Sequence, residues 1–374
     1  MKSNHDLFRK LSISLCLLIA STITYAESKT QEYKVSTVVE NLTFPWSIAF
    51  LPNSDMLITE RGGSLRVVRN GELLEQEISG LPEIYVAGPA GLFDVILDPN
   101  FAVNKKLYIS YSGGTASNNF VEVISATLQG MSLQQTKVIF TGSSRNTPHH
   151  HGARMTFLPD GTLLITAGDG FNFRDQAQSL NSMLGKVLRI NTDGSIPKDN
   201  PFVGQKNARP EIYTYGHRNP QAILVSKTKK VWLHEHGPKG GDELNLVKPG
   251  VNYGWPAITH GVDYSGAIIS PFKAAEGMEQ PVTFWVPSIA PSGMTEYQGD
   301  IFPQWQGDLF IAALAGKSVR RLSLEDDKVV EQETMLAERK QRIRDIRTGP
   351  DGYIYILTDS AQGELLKLSP NESQ

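Results

Sequence analysis

Residues 158–170 read LPDGTLLITAGDG: a Pro-Asp-Gly turn, an alternating apolar run that ends in threonine, then a glycine-rich turn. Asp-Gly pairs accept the backbone angles of tight hairpins, and β-branched and large apolar residues fill the pleated faces between them. The phrase recurs along the chain. LPNSDMLITERGGSLRVV (51–68), DPNFAVNKKLYISYS (98–112) and GPDGYIYILTDSAQGELLKL (349–368) are close copies, and SKTKKVWLHEHGP (226–238) and FPQWQGDLFIAAL (302–314) are looser ones. Six such units, with 33 glycines and almost no helical periodicity, predict an all-β chain built as a six-bladed β-propeller. A pair of β-sandwiches is the competing fold.

Two consequences follow from six blades. YKVSTVVE (33–40) reads as a strand without a partner of its own, so it is expected to close the ring by joining the C-terminal blade. The chain between the middle units is longer than a blade requires, so residues 170–220 and 236–300 are expected to form extended loops on one face. Long loops on a rigid scaffold are where function tends to lie.

Lys2, Arg9 and Lys10 precede an apolar run at residues 11–23, and TYAES follows with small residues around Ala26. That is the layout of a secretory signal peptide over residues 1–26; the alternative, a retained anchor, has too short an apolar run. Residues 27–374 are then one catalytic propeller domain in the periplasm. Cys16 is the sole cysteine and lies inside the leader, so the exported chain carries no disulfide. With 36 basic and 39 acidic residues the net charge is -3, which gives no long-range field for nucleic acid or an anionic membrane.

Three groups of residues carry chemistry. His149, His150 and His151 alternate direction in extended chain, so at most two can face one point and a zinc site is geometrically poor. One catalytic imidazole is the better reading, with Asp169 as the acid that orients it; a structural or exposed triplet is the other. The second group is YGHRNPQAI (215–223), with Arg218 and Asn219, followed by a carbonyl-dense, glycine-rich segment at 233–256 that holds Glu235, Asp242 and Glu243. Such oxygen-rich irregular chain suits Ca²⁺, although the carboxylates can equally cap turns. The third group is cationic: Lys317, Arg342 and Arg344, the last two spaced to project from one face of a strand toward a polyanionic ligand.

Together FPWSIAFLP (44–52), HHGARMTFLPDGTLLITAGD (150–169), YGHRNPQAI, EHGPKGGDELNLVKPGVNYGWP (235–256), PSIAPSGM (287–294), LAGKSVRRL (314–322) and RIRDIRTGPDG (342–352) resemble the soluble pyrroloquinoline-quinone (PQQ)-dependent glucose/sorbosone dehydrogenases, most nearly the aldose sugar dehydrogenase branch. The resemblance spans nearly the whole chain after the leader. It implies a six-bladed propeller that oxidises the C1 hydroxyl of an aldose to a lactone by hydride transfer to the quinone. It also implies Ca²⁺ as a second cofactor and a periplasmic electron acceptor as partner.

Residue by residue, the resemblance assigns His150 as general base; the expected mechanism adds Arg218, which stabilises the developing oxyanion, and Asp169, which orients His150, as further catalytic residues. Arg218, Asn219, Tyr264 and Ser288 become cofactor neighbours, and Lys317, Arg342 and Arg344 the cations for its carboxylates. The carbonyls of Gly237 and Pro238 match the cofactor's calcium, and Glu243 and Tyr253 a second, structural calcium. One motif departs: GPAGL (88–92) has Pro89 where the family carries a glutamine near the quinone. A calcium-dependent sugar lactonase and a non-catalytic carbohydrate-binding propeller are the rival functions.

Overall fold

Each of the six repeated phrases falls at the same place in the structure, the turn between the first and second strands of a sheet and the second strand itself. The computed structural model describes residues 32–371, so the expected leader lies outside the described residues. Six four-stranded antiparallel sheets occupy residues 45–73, 92–141, 152–215, 220–285, 291–335 and 343–370. These are blades 1 to 6. Every first strand packs against the first strand of the next blade, and that of blade 6 returns to blade 1. The ring is therefore closed. Strand Tyr33–Leu42 pairs antiparallel with Gly363–Pro370, so the N-terminal strand is the outermost of blade 6, as expected.

The core is distributed around the ring rather than gathered at one centre. Within strand Leu163–Ala167, every residue of which is buried, Leu163, Ile165 and Ala167 join Phe93, Tyr108 and Val121 of blade 2. Leu164 points the other way, to Ile223, Val231 and Leu233 of blade 4. Strand Ile354–Thr358 divides likewise, Ile354 and Ile356 toward blade 5 and Tyr355 and Leu357 toward blade 1. A two-residue side-chain period sends alternate residues to opposite neighbours, so a strand wedged between two sheets reads as one apolar run. Outer strands such as Lys328–Met335 are mostly exposed.

Because first strands run away from one face and second strands return to it, that upper face collects residues just before each first strand and just after each second one. His150, Arg218, Ser288 and Arg342 belong to the former set, Asp169, Gly237 and Asp359 to the latter. The long connections need correction. Residues 170–185 stay on the upper face, but 191–211 link third and fourth strands and so lie on the opposite one. The stretch 236–300 contains strands Asp242–Val247, Thr283–Trp285 and Pro291–Glu296. Only its middle, 248–282, is a true excursion: it climbs beside strand Ile212–Tyr215, with Tyr253 N–H on the Tyr215 carbonyl and Trp255 N–H on that of Gly216.

Candidate active site

The three histidines part company. His149 is exposed, its ring 5.4 Å from that of Phe171. His151 is buried, with Nε2 3.1 Å from Asn119 Oδ1 and its ring 5.5 Å from Phe93, a core histidine held neutral by burial and by nearby Arg145. His150 alone meets an acid: its Nδ1 lies 2.6 Å from Asp169 Oδ1, and 11% of its side chain stays accessible. Its backbone is left-handed, φ 54°, and Arg145 Nη1 donates to its carbonyl at 2.7 Å. Gly168 makes the approach possible, since a β-carbon there would collide with that carbonyl.

Burial holds the His150 imidazolium below the usual histidine range; Arg218 and His149 add to this and the Asp169 bond opposes it. Asp169 is 1% exposed and accepts three donors: His150 and the Phe171 N–H (2.8 Å) on Oδ1, and Trp255 Nε1 (2.8 Å) on Oδ2. Burial alone would raise its pKa, but the His150 bond, the charges of His150 and Arg218 and the Phe171 N–H hold it below the carboxylate range. The pair is a charged acceptor supporting a base that is neutral near pH 7.

Arg218 stands beside the dyad, buried, with Nη1 on the carbonyls of His236 (3.1 Å) and Gly237 (2.6 Å). Its guanidinium carbon lies 5.3 Å from the Trp255 ring and 5.8 Å from that of Tyr264. Two adjoining clefts open here. One of 360 Å³ is walled by Asp169, Phe171, Arg218, Trp255 and Tyr264. The other, of 530 Å³, is a largely apolar slot between Gly237, Pro238, Val262, Tyr264, Val286 and Ser288. Asn219 faces inward instead, its Oδ1 accepting from Gln221 at 3.1 Å.

The turn after Glu235 is shaped by Asp242. Its Oδ1 accepts from Gly237 N (2.9 Å) and Ser288 Oγ (3.1 Å), its Oδ2 from Ile289 N (2.7 Å) and Ala290 N (2.8 Å). Four donors leave no room for a metal, so Asp242 is a turn organiser. Behind it, Glu235 and Glu243 face each other across paired strands, and burial plus this repulsion pushes Glu243 up to about 8. A cavity of 10 Å³, about the space one water-sized sphere needs, lies between them and Tyr253. Glu235 is already engaged by His217 Nδ1 (2.8 Å) and Arg218 N (2.5 Å). The Tyr253 hydroxyl is committed to Leu246 O and Lys248 N, so only its carbonyl is available to a cation.

The cations form a group apart on the same face. Arg342 and Arg344 project together, as the spacing predicts, and share Asp359 at 2.8 and 3.2 Å. Arg344 Nε is buried without a hydrogen-bond partner among the described residues. Lys317 is exposed in the turn at 314–317 and has no ion pair among the described residues. None of the three lines either cleft, although Ala315 of the Lys317 turn does. At GPAGL, Ala87, just before the motif, pairs with Ala90 across a tight turn that places Gly88 (φ 51°), beside Pro148, and exposed Pro89 at its tip.

Sequence reasoning missed Trp255 and Phe171. Trp255 sits in the quoted NYGWP, but its bond to Asp169 spans 86 residues; Phe171, at φ 66°, packs edge-on to His150 at 5.0 Å. A buried aromatic with a donor in a loop is the signal for the first, and an apolar residue beside an acid for the second.

The described residues thus form a closed six-bladed propeller with a histidine–aspartate dyad, a buried arginine and a separate cationic cluster on one face. The family model for glucose/sorbosone dehydrogenase matches residues 42–367, and the chain belongs to that family. It is 43% identical to the aldose sugar dehydrogenase YliI of Escherichia coli over 95% of this chain and 97% of that protein. Quinoprotein glucose dehydrogenase B of Acinetobacter calcoaceticus is 26% identical over 90% of this chain and 87% of its own length. Among solved structures, the apo form of the soluble E. coli aldose sugar dehydrogenase superposes with a TM-score of 0.88 at 43% identity, covering 91% of this chain and all of that one. The PQQ-bound aldose sugar dehydrogenase of Streptomyces coelicolor gives 0.75 at 25% identity, covering 91% and 99%. No helix among the described residues is long and apolar enough to cross a membrane.

Proposed function

We propose that this oxidoreductase is an exported, periplasmic PQQ- and Ca²⁺-dependent aldose dehydrogenase that converts the C1 hydroxyl of an aldose into the lactone. The observation that carries the reading is the 2.6 Å His150–Asp169 bond opening beside Arg218. When bound, the quinone would accept the C1 hydride and Ca²⁺ would act as a Lewis acid. His150 takes the C1 hydroxyl proton on Nε2 while Asp169 supports the imidazolium through Nδ1. Arg218 offers a buried positive charge to the oxygen as its negative charge grows.

The residues present fit both cofactors. Lys317, Arg342 and Arg344 are three cations against one carboxylate, Asp359, and the unpartnered Arg344 Nε leaves donor capacity for ligand carboxylates. The apolar slot between Pro238, Tyr264 and Val286 suits a flat aromatic body, with Ser288 as a polar neighbour. Gly237 and Pro238 would lend carbonyls to its Ca²⁺. The facing carboxylates Glu235 and Glu243 suit a second cation, with Glu243 and Tyr253 as ligands. A lactonase would have no use for the arginine pair.

Titration with PQQ and Ca²⁺ tests the reading. Sugar-dependent dye reduction should appear only when both are added, and its absence at saturating cofactor would favour a carbohydrate-binding propeller. Export is tested by the mass of the periplasmic chain, expected to begin near Glu27; an intact Met1 there would contradict it.

A further inference from the structure

The indole N–H of Trp255 donates to Asp169 Oδ2 at 2.8 Å, the oxygen that His150 does not use. Trp255 itself is fixed at two points on blade 3, its backbone N–H donating to the Gly216 carbonyl (2.9 Å) and its carbonyl accepting from Gln178 Nε2 (2.8 Å), and two residues earlier the Tyr253 N–H donates to the Tyr215 carbonyl (2.8 Å). The indole is 7% exposed and lines the 360 Å³ cleft, with its face 5.3 Å from the Arg218 guanidinium carbon.

We propose that Trp255 is a positioning residue for base and cation alike, its N–H fixing the plane of the Asp169 carboxylate and its ring supporting Arg218. A carboxylate held by Oδ1 alone can rotate about its Cβ–Cγ bond and lose the line to His150 Nδ1; a donor on Oδ2 removes that freedom. A lysine or arginine at this place would also orient Asp169, but its charge would cancel the negative charge that supports the imidazolium. Indole is a neutral donor with no acceptor and no titration in the working range, so it orients without neutralising. The excursion 248–282 of blade 4 thereby completes a dyad built by blade 3.

The kinetic arm rests on the dehydrogenase reading; the hold on Asp169 does not. The variant Trp255→Phe keeps the ring and removes the donor. Its kcat should fall roughly tenfold, the scale of one hydrogen bond to a charged acceptor, with sugar KM and PQQ affinity within about twofold. Asp169, bearing less shared charge, would pull harder on the His150 proton, so the acid limb of kcat/KM should move to higher pH. Arg218, Arg145, His149 and His236 also face His150 and are unchanged in the variant. In an Asp169→Asn background Trp255→Phe should cost less than about twofold more.

Independently of activity, histidine-labelled protein without cofactor should show His150 titrating at higher pH in Trp255→Phe than in wild type. The Trp255 indole proton should be exchange-protected in wild type and lose that protection in Asp169→Ala. An unshifted His150 titration, an indole proton equally protected in Asp169→Ala, or a full kcat loss persisting in the Asp169→Asn background would each overturn the proposal. A wild type with no PQQ-dependent activity but with both magnetic-resonance results would sink the dehydrogenase reading and leave the role of Trp255 standing.

Discussion

At the scale of single residues, the left-handed φ of His150, 54°, costs on the order of 1 to 3 kcal/mol and persists because Arg145 grips its carbonyl and Asp169 its ring. Strain held by its surroundings at a dyad suits the pre-organised base proposed for His150. His150→Ala should therefore lower sugar oxidation by about 10² to 10⁴ while PQQ affinity stays nearly intact. His149→Ala should change rate little. His151→Ala should instead lower stability, by about 2 to 4 kcal/mol in urea unfolding, because it empties a core site and strands Asn119. Equal rate losses in all three would argue against a single base. The pH profile has a definite sign: the base must be neutral, and burial lowers its pKa, so the acid limb of kcat/KM should lie below 6.5. A limb above that value would mean the charged form is favoured. The sequence allows at most two of these histidines to share a direction. Which one meets an acid depends on contacts 19 and 32 residues away, and alternation alone does not encode them.

At the scale of elements, period and turn chemistry were legible because they are local. Arg342 and Arg344 flank Ile343 at the start of strand Ile343–Thr348, and their shared hold on Asp359 follows from the two-residue repeat. Arg342→Ala with Arg344→Ala should weaken PQQ binding by tenfold or more, seen in cofactor titration before any change in sugar KM. Unchanged affinity would remove the main support for the quinone reading. The turn at 87–90 bears on the departing motif. Its pairing bonds run between Ala87 and Ala90, so the backbone N–H that Pro89 lacks is not needed there, and a glutamine can be accepted. Pro89→Gln should raise kcat by up to roughly tenfold with the PQQ dissociation constant within twofold, since it restores at most one neutral hydrogen bond. No gain would show that the turn, although packed on Pro148, does not reach the reacting atoms. What local pattern did not encode was the face each connection occupies. Residues 191–211 looked like part of a site-bearing loop, yet strand count places them on the far side.

For the molecule as a whole, six alternating strands explain the blades, but something must hold the axis where first strands meet. Three buried charges, Arg154, Asp94 and Asp345, and the half-buried Arg347 do so. Arg154 of blade 3, 2% exposed, reaches Asp94 of blade 2 at 3.3 Å and Asp345 of blade 6 at 3.0 Å; it donates to the Gln221 carbonyl of blade 4 and lies 4.0 Å over the Trp46 ring of blade 1. Arg347 pairs with the same two carboxylates from the other side. Gly293 of blade 5 gives Asp345 its place, for a β-carbon there would strike the carboxylate. The sequence offered HHGAR only as a motif; that its arginine tethers the ring follows from five blades converging on one point. Arg154→Met should then leave the buried carboxylates of Asp94 and Asp345 against Arg347 alone, and Asp345 Oδ1, which has no hydrogen bond among the described residues, loses its ion-pair partner. Breaking one member of a buried network typically costs about 3 to 5 kcal/mol, so the urea midpoint followed by tryptophan fluorescence should fall clearly. Arg154→Lys should fall less, because it keeps the charge and loses the fork. The folded fraction should still bind PQQ within a few-fold, since Arg154 lines neither cleft. If Arg154→Met unfolds at the wild-type midpoint, the ring is held by its six apolar wedges alone and the axial charges serve some other end.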